Sequence, residues 1–183
     1  MLTCIKDIDF ATTKNDVLVV IDMQNDFVTG DLGSDEARAI VPFIADFAGK
    51  FQGIKFFTKD THDNNYLNTQ EGRFLPIKHC IYGTRGWLIV PELSEIASNA
   101  TVIQKPTFGS FALAEAVAKC NPRRIFLCSV CTGICDISNG VILKTKMPEV
   151  EIYILAPLCA CVSAESHNKA LDVMQTLQMV ILE

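Results

Sequence analysis

The chain has 183 residues, of which 49% are hydrophobic and 20% charged, with a formal net charge of −5. That length suits one domain with a full core rather than two, and the apolar content excludes a disordered protein. The acidic balance, with no run of Lys or Arg, argues against a nucleic-acid surface. No apolar stretch reaches the roughly 20 residues of a membrane span, and the opening "MLTCIKDIDF" lacks the basic and apolar regions of an export signal. The expected location is therefore the cytoplasm, where the eight cysteines stay reduced.

Residues 1–15 read as a short extension on a single domain spanning 1–183. "DVLVVID" (16–22) is the first strand, and "SDEARAIVPFIADFAGKF" follows as a helix with Ser34 as its cap. "IKFFTKD" (54–60) is the second strand. From Thr61 to about Pro91 the chain turns polar and loses periodicity, and it holds two of the three histidines. A structureless stretch of that length inside a domain is usually functional, and it is read so here. Then strands "ATVIQK" (100–105), "RIFLCSV" (124–130), "VEIYILA" (150–156) and "MVILE" (179–183) alternate with helices "GSFALAEAVAKC", "CDISNGVILKTK" and "SAESHNKALDVMQTL". Near-continuous apolar strands separated by helices predict an α/β fold: three layers, α/β/α, around a six-stranded parallel sheet.

In such a sheet ligands bind beyond the carboxyl ends of the strands. Asp22, Asp60 and Lys105 each close a strand, and Cys131 to Cys135 follow another. Asp22 after five apolar residues needs a cation, and Lys105 is the candidate. A thiol with a free pKa of about 8.5 is expected to be lowered at Cys135 by that lysine and by a helix N-terminus. Asp22 could take the thiol proton and return it to a leaving group, and N–H groups of the "VCTGIC" turn could face an oxyanion. Cys, Asp and Lys thus have assignable roles in acyl transfer. Asp60 and His62, one residue apart in extended chain, project to the same side. With His79 and Glu71 they offer a donor set for Zn²⁺, Mn²⁺ or Fe²⁺ rather than Ca²⁺.

Other uses of the cysteines fare worse. Cys128 of the C-x-x-C pair "CSVC" falls inside an apolar strand rather than at a helix start, which counts against a redox motif. Pairing "CSVC" with Cys159 and Cys161 fails the spacing of a zinc knuckle. Cys4, Cys80, Cys120, Cys159 and Cys161 are read as structural or incidental, and His167 as making a local hydrogen bond in the first turn of its helix, with a role near the site as the secondary reading.

The segments "VVIDMQNDFVTG", "FFTKDTHDNN", "LPIKHCIYGTRGW", "QKPTFGSF", "VCTGICDISN" and "CACVSAESHNKAL" together resemble the isochorismatase-like cysteine hydrolases, and among them the nicotinamidase-like amidases, from about Val17 to the C-terminus. The resemblance implies a triad of Asp22, Lys105 and Cys135, with a Cys135 thioester formed from an amide as ammonia leaves. It implies a metal, zinc first, on Asp60, His62 and His79, with Glu71 a ligand in part of the family. It also implies a cis bond between Val130 and Cys131, backbone N–H groups of Cys131 and Cys135 as the oxyanion hole, and Phe27 and Phe108 flanking the substrate. The implied partner is a small amide, with self-association also open. Two positions depart from the family: Gly133 stands where an acidic residue is usual, and Cys131 replaces a small aliphatic residue. Two further readings stay open: an amidase for N-carbamoyl, ureido or other small amides, and a silent binding module that keeps only the fold.

Overall fold

The strand Val17–Ile21 (β1) is buried along its whole length, each of its five apolar side chains being at most 1% exposed. Burying such a side chain stabilises by about 1.5–3 kcal/mol. Because strand side chains alternate, β1 feeds two cores: Leu18 and Val20 point into one, and Val17, Val19 and Ile21 into the other. A strand covered on both sides belongs at the centre of a parallel sheet, and the computed structural model, which describes residues 2–183, puts it there.

The other strands are β2 (Ile54–Asp60), β3 (Thr101–Lys105), β4 (Arg124–Val130), β5 (Glu151–Ala160) and β6 (Val180–Leu182). They form one six-stranded sheet in the order β3-β2-β1-β4-β5-β6, with every pairing parallel. The helices are α1 (Asn25–Val28), α2 (Asp35–Lys50), α3 (Gln70–Phe74), α4 (Pro91–Ser98), α5 (Phe111–Lys119), α6 (Ile137–Lys146) and α7 (Ala164–Thr176). Helices α2 and α4 cover one face, where Ile44, Phe47 and Leu93 meet Phe57, Phe126 and Tyr153. Helices α5, α6 and α7 cover the other, where Leu113, Leu143 and Met174 meet Ile125, Leu127 and Ile154. The three-layer α/β/α arrangement is thus the one the strand pattern predicts. Among the described residues no helix is long and apolar enough to cross a membrane.

Three expectations need correction. The Thr61–Pro91 segment is not structureless. It holds a turn at Tyr66–Asn68 and α3, capped by Thr69, whose hydroxyl accepts from the Gly72 N–H at 3.0 Å, and it is pinned to the body by a bridge between His62 and Ile81. It is followed directly by α4, whose eight residues are too few to show a period in the sequence. The N-terminal extension is built into the body. Turns at Ile5–Asp7 and Phe10–Asn15 bury Ile8 and set the Phe10 ring 5.2 Å from that of Phe47.

Third, β5 runs past Ala156. Its pairing with β4 jumps from Leu127↔Ile154 to Ser129↔Cys159, so two steps along β4 match five along β5. The extra residues include Pro157, which has no N–H to donate and is tolerated in a sheet at such an irregularity. That proline is why the sequence appears to end the strand early. The jump carries Cys159, Ala160 and then Cys161 up to the carboxyl end of β4.

At the opposite end of the sheet Asp16 is fully buried and bound by two arginines. It accepts from Arg123 Nε and Nη2, both at 3.0 Å, and from Arg124 Nε and Nη2 at 3.1 and 2.5 Å, tying the start of β1 to the start of β4. Burial alone would raise its pKa, but the two guanidinium groups prevail and hold it below the usual carboxylate value. A depressed folded-state pKa gives stability that is present above the unfolded value, about 3.9, and lost as pH falls through the folded one. Asp16→Asn is therefore expected to cost about 1–3 kcal/mol near neutral pH. In urea titrations its deficit against wild type should shrink below about pH 4; a deficit that is constant across pH would remove the ionic explanation.

Candidate active site

Strand order reverses between β1 and β4: from β1 the chain steps outward to β2 and β3, then returns to add β4 on the other side. Beyond the carboxyl ends of such a pair a crevice opens because the two connections leave in opposite directions. Asp22 follows β1 directly, in a left-handed backbone conformation (φ 54°) that Asp tolerates better than most residues. Asp60 and Lys105 are the last residues of β2 and β3, in register with one another. Cys135 lies in the helical turn Thr132–Asp136 that leads from β4 into α6.

The three residues expected to form a triad meet. Lys105 Nζ lies 2.6 Å from Asp22 Oδ2 and 3.6 Å from Cys135 Sγ. It also lies 3.7 Å from Asp60 Oδ1 and donates to the Thr107 carbonyl at 3.1 Å. Its side chain is 1% exposed. Burial opposes its charge, but the carboxylates, Asp22 first and then Asp60, prevail and raise its pKa, so it stays an ammonium. Asp22 shifts upward because burial outweighs the pull of Lys105.

The thiol itself departs from expectation. Burial, and then the Asp22 charge, push the Cys135 pKa well above its ordinary value, and Lys105 offsets this only in part. The resting group is a thiol beside a carboxylate, not a standing thiolate. The helix start does not reverse this, because Cys135 sits within the turn rather than ahead of it. The Val130–Cys131 bond is cis.

Next to the triad, Asp60, His62, Glu71 and His79 each turn a ligand atom inward, all within 4.8 Å of one another. His62 Nε2 is 2.9 Å from Asp60 Oδ2 and 3.6 Å from Glu71 Oε1, and His79 Nε2 is 3.4 and 3.6 Å from the same two oxygens. Ligands about 2.0–2.2 Å from one ion are separated by about this much. His79 Nδ1 donates to the Ile77 carbonyl at 2.9 Å, which leaves Nε2 with a lone pair facing the cluster, the outer-shell arrangement of a metal-binding imidazole. The Tyr66 ring packs 4.7 Å from that of His62 and 4.9 Å from that of His79, and Tyr66 is anchored through its hydroxyl to the Leu75 carbonyl at 2.9 Å. Two nitrogens and two oxygens around one point fit a divalent cation of the zinc, manganese or iron class.

Both groups open on a cavity of about 480 Å³, walled by Phe27, Leu75, Phe108, Val130, Cys131 and Ile134. The Phe27 ring lies 5.4 Å from that of His79. Apolar walls with a few polar groups at one corner suit a small flat ligand.

The structure also uses residues that sequence reasoning passed over. Thr58, paired in register with Ile21, donates to Asp22 Oδ1 at 2.7 Å and accepts from the Asp22 N–H at 3.2 Å. Gln24 spends its whole amide on the metal side: Nε2 donates to the carbonyls of Asp60 and Trp87, both at 2.9 Å, and Oε1 accepts from the Asp60 N–H at 2.7 Å. Asp26 Oδ2 accepts from the Cys80 N–H at 2.7 Å, next to His79. Asp26 packs so close to Gly86 that a Cβ there would meet its carboxylate at 2.1 Å. Asn139 donates to the carbonyls of Cys135 at 2.7 Å and Phe108 at 3.0 Å, fixing the nucleophile turn to a cavity wall. The available signal was the polar run "MQNDF" directly after a buried strand. His167 does not bond locally but follows its secondary reading: its Nδ1 bonds Thr132 Oγ1 at 2.9 Å, in the turn that carries Cys135.

Removing Lys105 strands two buried carboxylates. Lys105→Met should cost about 3–5 kcal/mol in denaturant titration, and adding Asp22→Asn should recover a large part of that loss. Additive losses would show that the two side chains are not energetically paired.

Comparison with known proteins bears on the same residues. The isochorismatase domain matches residues 16–183, and no curated protein sequence matches the chain. Among solved structures, the nicotinamidase/pyrazinamidase of Bacillus subtilis has a TM-score of 0.82 and 25% identity, over 92% of this chain and 100% of that one. The pyrazinamidase of Pyrococcus horikoshii in complex with zinc has a TM-score of 0.80 and 24% identity, over 92% and 99%. A protein of L. infantum in complex with nicotinate has a TM-score of 0.81 and 20% identity, over 100% and 96%. The fold is the isochorismatase-like one, and the chain belongs to the isochorismatase family of hydrolases.

Proposed function

We propose that the chain is a metal-containing cysteine amidohydrolase that converts a small amide, nicotinamide foremost, to the acid and ammonia. The observation that carries this reading is the contact of one buried ammonium with both a carboxylate and a thiol, Lys105 Nζ lying 2.6 Å from Asp22 and 3.6 Å from Cys135 on the wall of an apolar cavity.

The Cys135 sulfur adds to the amide carbon while its proton passes to Asp22. The raised pKa values of both groups suit a proton shared between them. Charge developing on the carbonyl oxygen meets the backbone N–H groups of Cys131 and Cys135. Asp22 then gives the proton to the leaving nitrogen, ammonia departs, and a thioester remains. Water adds to the thioester with Asp22 as base, the acid leaves, and the thiol is restored. Lys105 keeps its charge throughout, so each transfer occurs beside a fixed positive group. Phe27 and Phe108 hold the flat part of the substrate. Asp60, His62, Glu71 and His79 would hold the divalent ion, zinc first, which supplies an electrophilic anchor for a donor atom on the substrate.

The nicotinamidase reading draws on the named activity of the Bacillus subtilis structure and on the flat, apolar cavity. A second reading keeps the reaction but changes the amide to a larger one, or to an N-carbamoyl or ureido compound. It draws on an apolar hollow lined by Phe74, Leu75, Thr107, Phe108 and Ile134 that adjoins the cavity.

Purified zinc-loaded protein should release ammonia from nicotinamide, and Cys135→Ala should lower kcat at least about a thousandfold. Ammonia release that survives the substitution rules out the thioester. A kcat/KM panel over nicotinamide, pyrazinamide, N-carbamoyl amino acids and bulkier aryl amides chooses between the two substrate readings. Stripping the metal with a chelator should abolish turnover, with recovery on adding zinc. Full activity in the stripped protein would exclude a role for the four-residue cluster.

A further inference from the structure

The extra residues of β5 have a chemical consequence at the cavity. Val130 pairs with Ala160 at the top of the β4–β5 ladder, and Cys131 and Cys161 are the residues that directly follow this last pair. Adjacent strands lie about 4.8 Å apart, inside the Cα separation of about 4.4–6.8 Å that a disulfide requires. Both residues line the cavity that holds Cys135. The Cys161 sulfur also accepts from the Gly133 N–H at 3.4 Å. A Cβ at position 133 would approach that sulfur to 3.3 Å, so glycine at this point of the nucleophile turn leaves room for it.

We propose that Cys131 and Cys161 form a redox-active thiol pair in the cavity wall, a modification site that closes to a disulfide under peroxide and opens under a dithiol reductant. Of the other cysteines, Cys80, Cys128 and Cys159 are buried away from the cavity lining and Cys4 and Cys120 lie outside it, so Cys135 is the competitor that the test must separate. The Gly133 N–H, 3.4 Å from the Cys161 sulfur, is a donor for the negative charge that sulfur develops as it attacks. Burial first, and then Cys161 itself, push the Cys131 thiol up to about 12, which suits it to the second, resolving step. The Cys161 sulfur attacks one peroxide oxygen, the O–O bond breaks, and the departing hydroxide takes up a proton to leave as water. The Cys131 sulfur then attacks the resulting sulfenic acid, the S–S bond forms, and a second water leaves. Two thiols and one peroxide give one disulfide and two waters. The closed form draws the Cys161 sulfur away from the Gly133 N–H and fixes the Cys131 backbone, whose N–H the proposed mechanism uses. The bond itself does not depend on the hydrolase reading; its effect on turnover does.

The test uses the full zinc-loaded chain, treated with hydrogen peroxide, quenched with N-ethylmaleimide and mapped by mass spectrometry without reduction. The expected product is a peptide pair joined through Cys131 and Cys161, with two fewer alkylatable thiols and loss of most ammonia release, all reversed by dithiothreitol. Phenylarsine oxide, which bridges neighbouring thiols without an oxidant, should protect the same two residues from alkylation. Cys161→Ser should lose the cross-link while Cys4→Ser keeps it, and if the former does not fold the wild-type map still decides. Cys131 and Cys161 both remaining alkylatable, or either of them pairing instead with Cys135, would overturn the proposal. A cross-link in a protein that hydrolyses no amide would leave the thiol pair standing and remove the proposed activity.

Discussion

A lysine ammonium that is 1% exposed, held among two carboxylates and a thiol, is the interaction on which the rest of the site depends. Taking a charge of that kind out of water costs several kcal/mol unless its partners are fixed in advance. Here the lysine and its partners come from the ends of three strands and a helical turn, so the sheet register fixes where the charges sit. Asp22 is held on its carboxylate and its own N–H by Thr58, and Asp60 on its N–H and carbonyl by Gln24. The fold therefore acts as a clamp on charges, and its reward at Cys135 is a thiol whose proton has one place to go. The ion pair does not produce a resting thiolate, and a protonated resting sulfur is less exposed to adventitious alkylation and oxidation.

Asp60 explains why the four-donor cluster and the Asp22–Lys105–Cys135 group are not separable. Asp60 touches both: one oxygen lies 3.7 Å from Lys105 Nζ, the other 2.9 Å from His62 Nε2. The side chains of His62 and Lys105 draw its pKa far down despite its burial. A change at either group is felt by the other through this single carboxylate. On the opposite wall, the irregularity at Pro157 performs a comparable service, lifting Cys161 to the rim beside the nucleophile turn, where the Gly133 N–H meets its sulfur. Glycine at 133 thus has a local counterpart in the Cys161 sulfur, which a Cβ there would approach to 3.3 Å.

What could be read from the sequence was whatever depends on short-range pattern. Apolar runs such as "VLVVI" announce a doubly covered strand because burial on two faces removes the need for alternation, and parallel strands bring their carboxyl ends to one edge whatever the loops do. That reasoning reached Asp22, Asp60, Lys105 and Cys135, and the separation of the two histidines reached the four-donor cluster. The misses are long-range in origin. Thr58 supports Asp22 only because the β1–β2 register sets Ile21 against it. The pairing of His167 with Thr132 spans 35 positions of sequence. Cys161 has no local pattern to mark it, because a proline four residues earlier hides the continuation of β5, and only the shifted register shows that the strand resumes. The thiol pKa was misjudged for a different reason: the sequence reveals the neighbouring charges but not the desolvation, which here is the largest influence.

The central claim is that Cys135 becomes acylated through a proton transfer to Asp22 governed by Lys105. Acid-quenched single-turnover mixing of excess protein with nicotinamide, followed by mass spectrometry of the peptide bearing Cys135, tests it directly. The account predicts a transient nicotinoyl adduct on that cysteine in the wild-type protein, and none in folded Asp22→Asn. Ammonia release with no adduct at any quench time, or an adduct that forms equally fast without the Asp22 carboxylate, would contradict it.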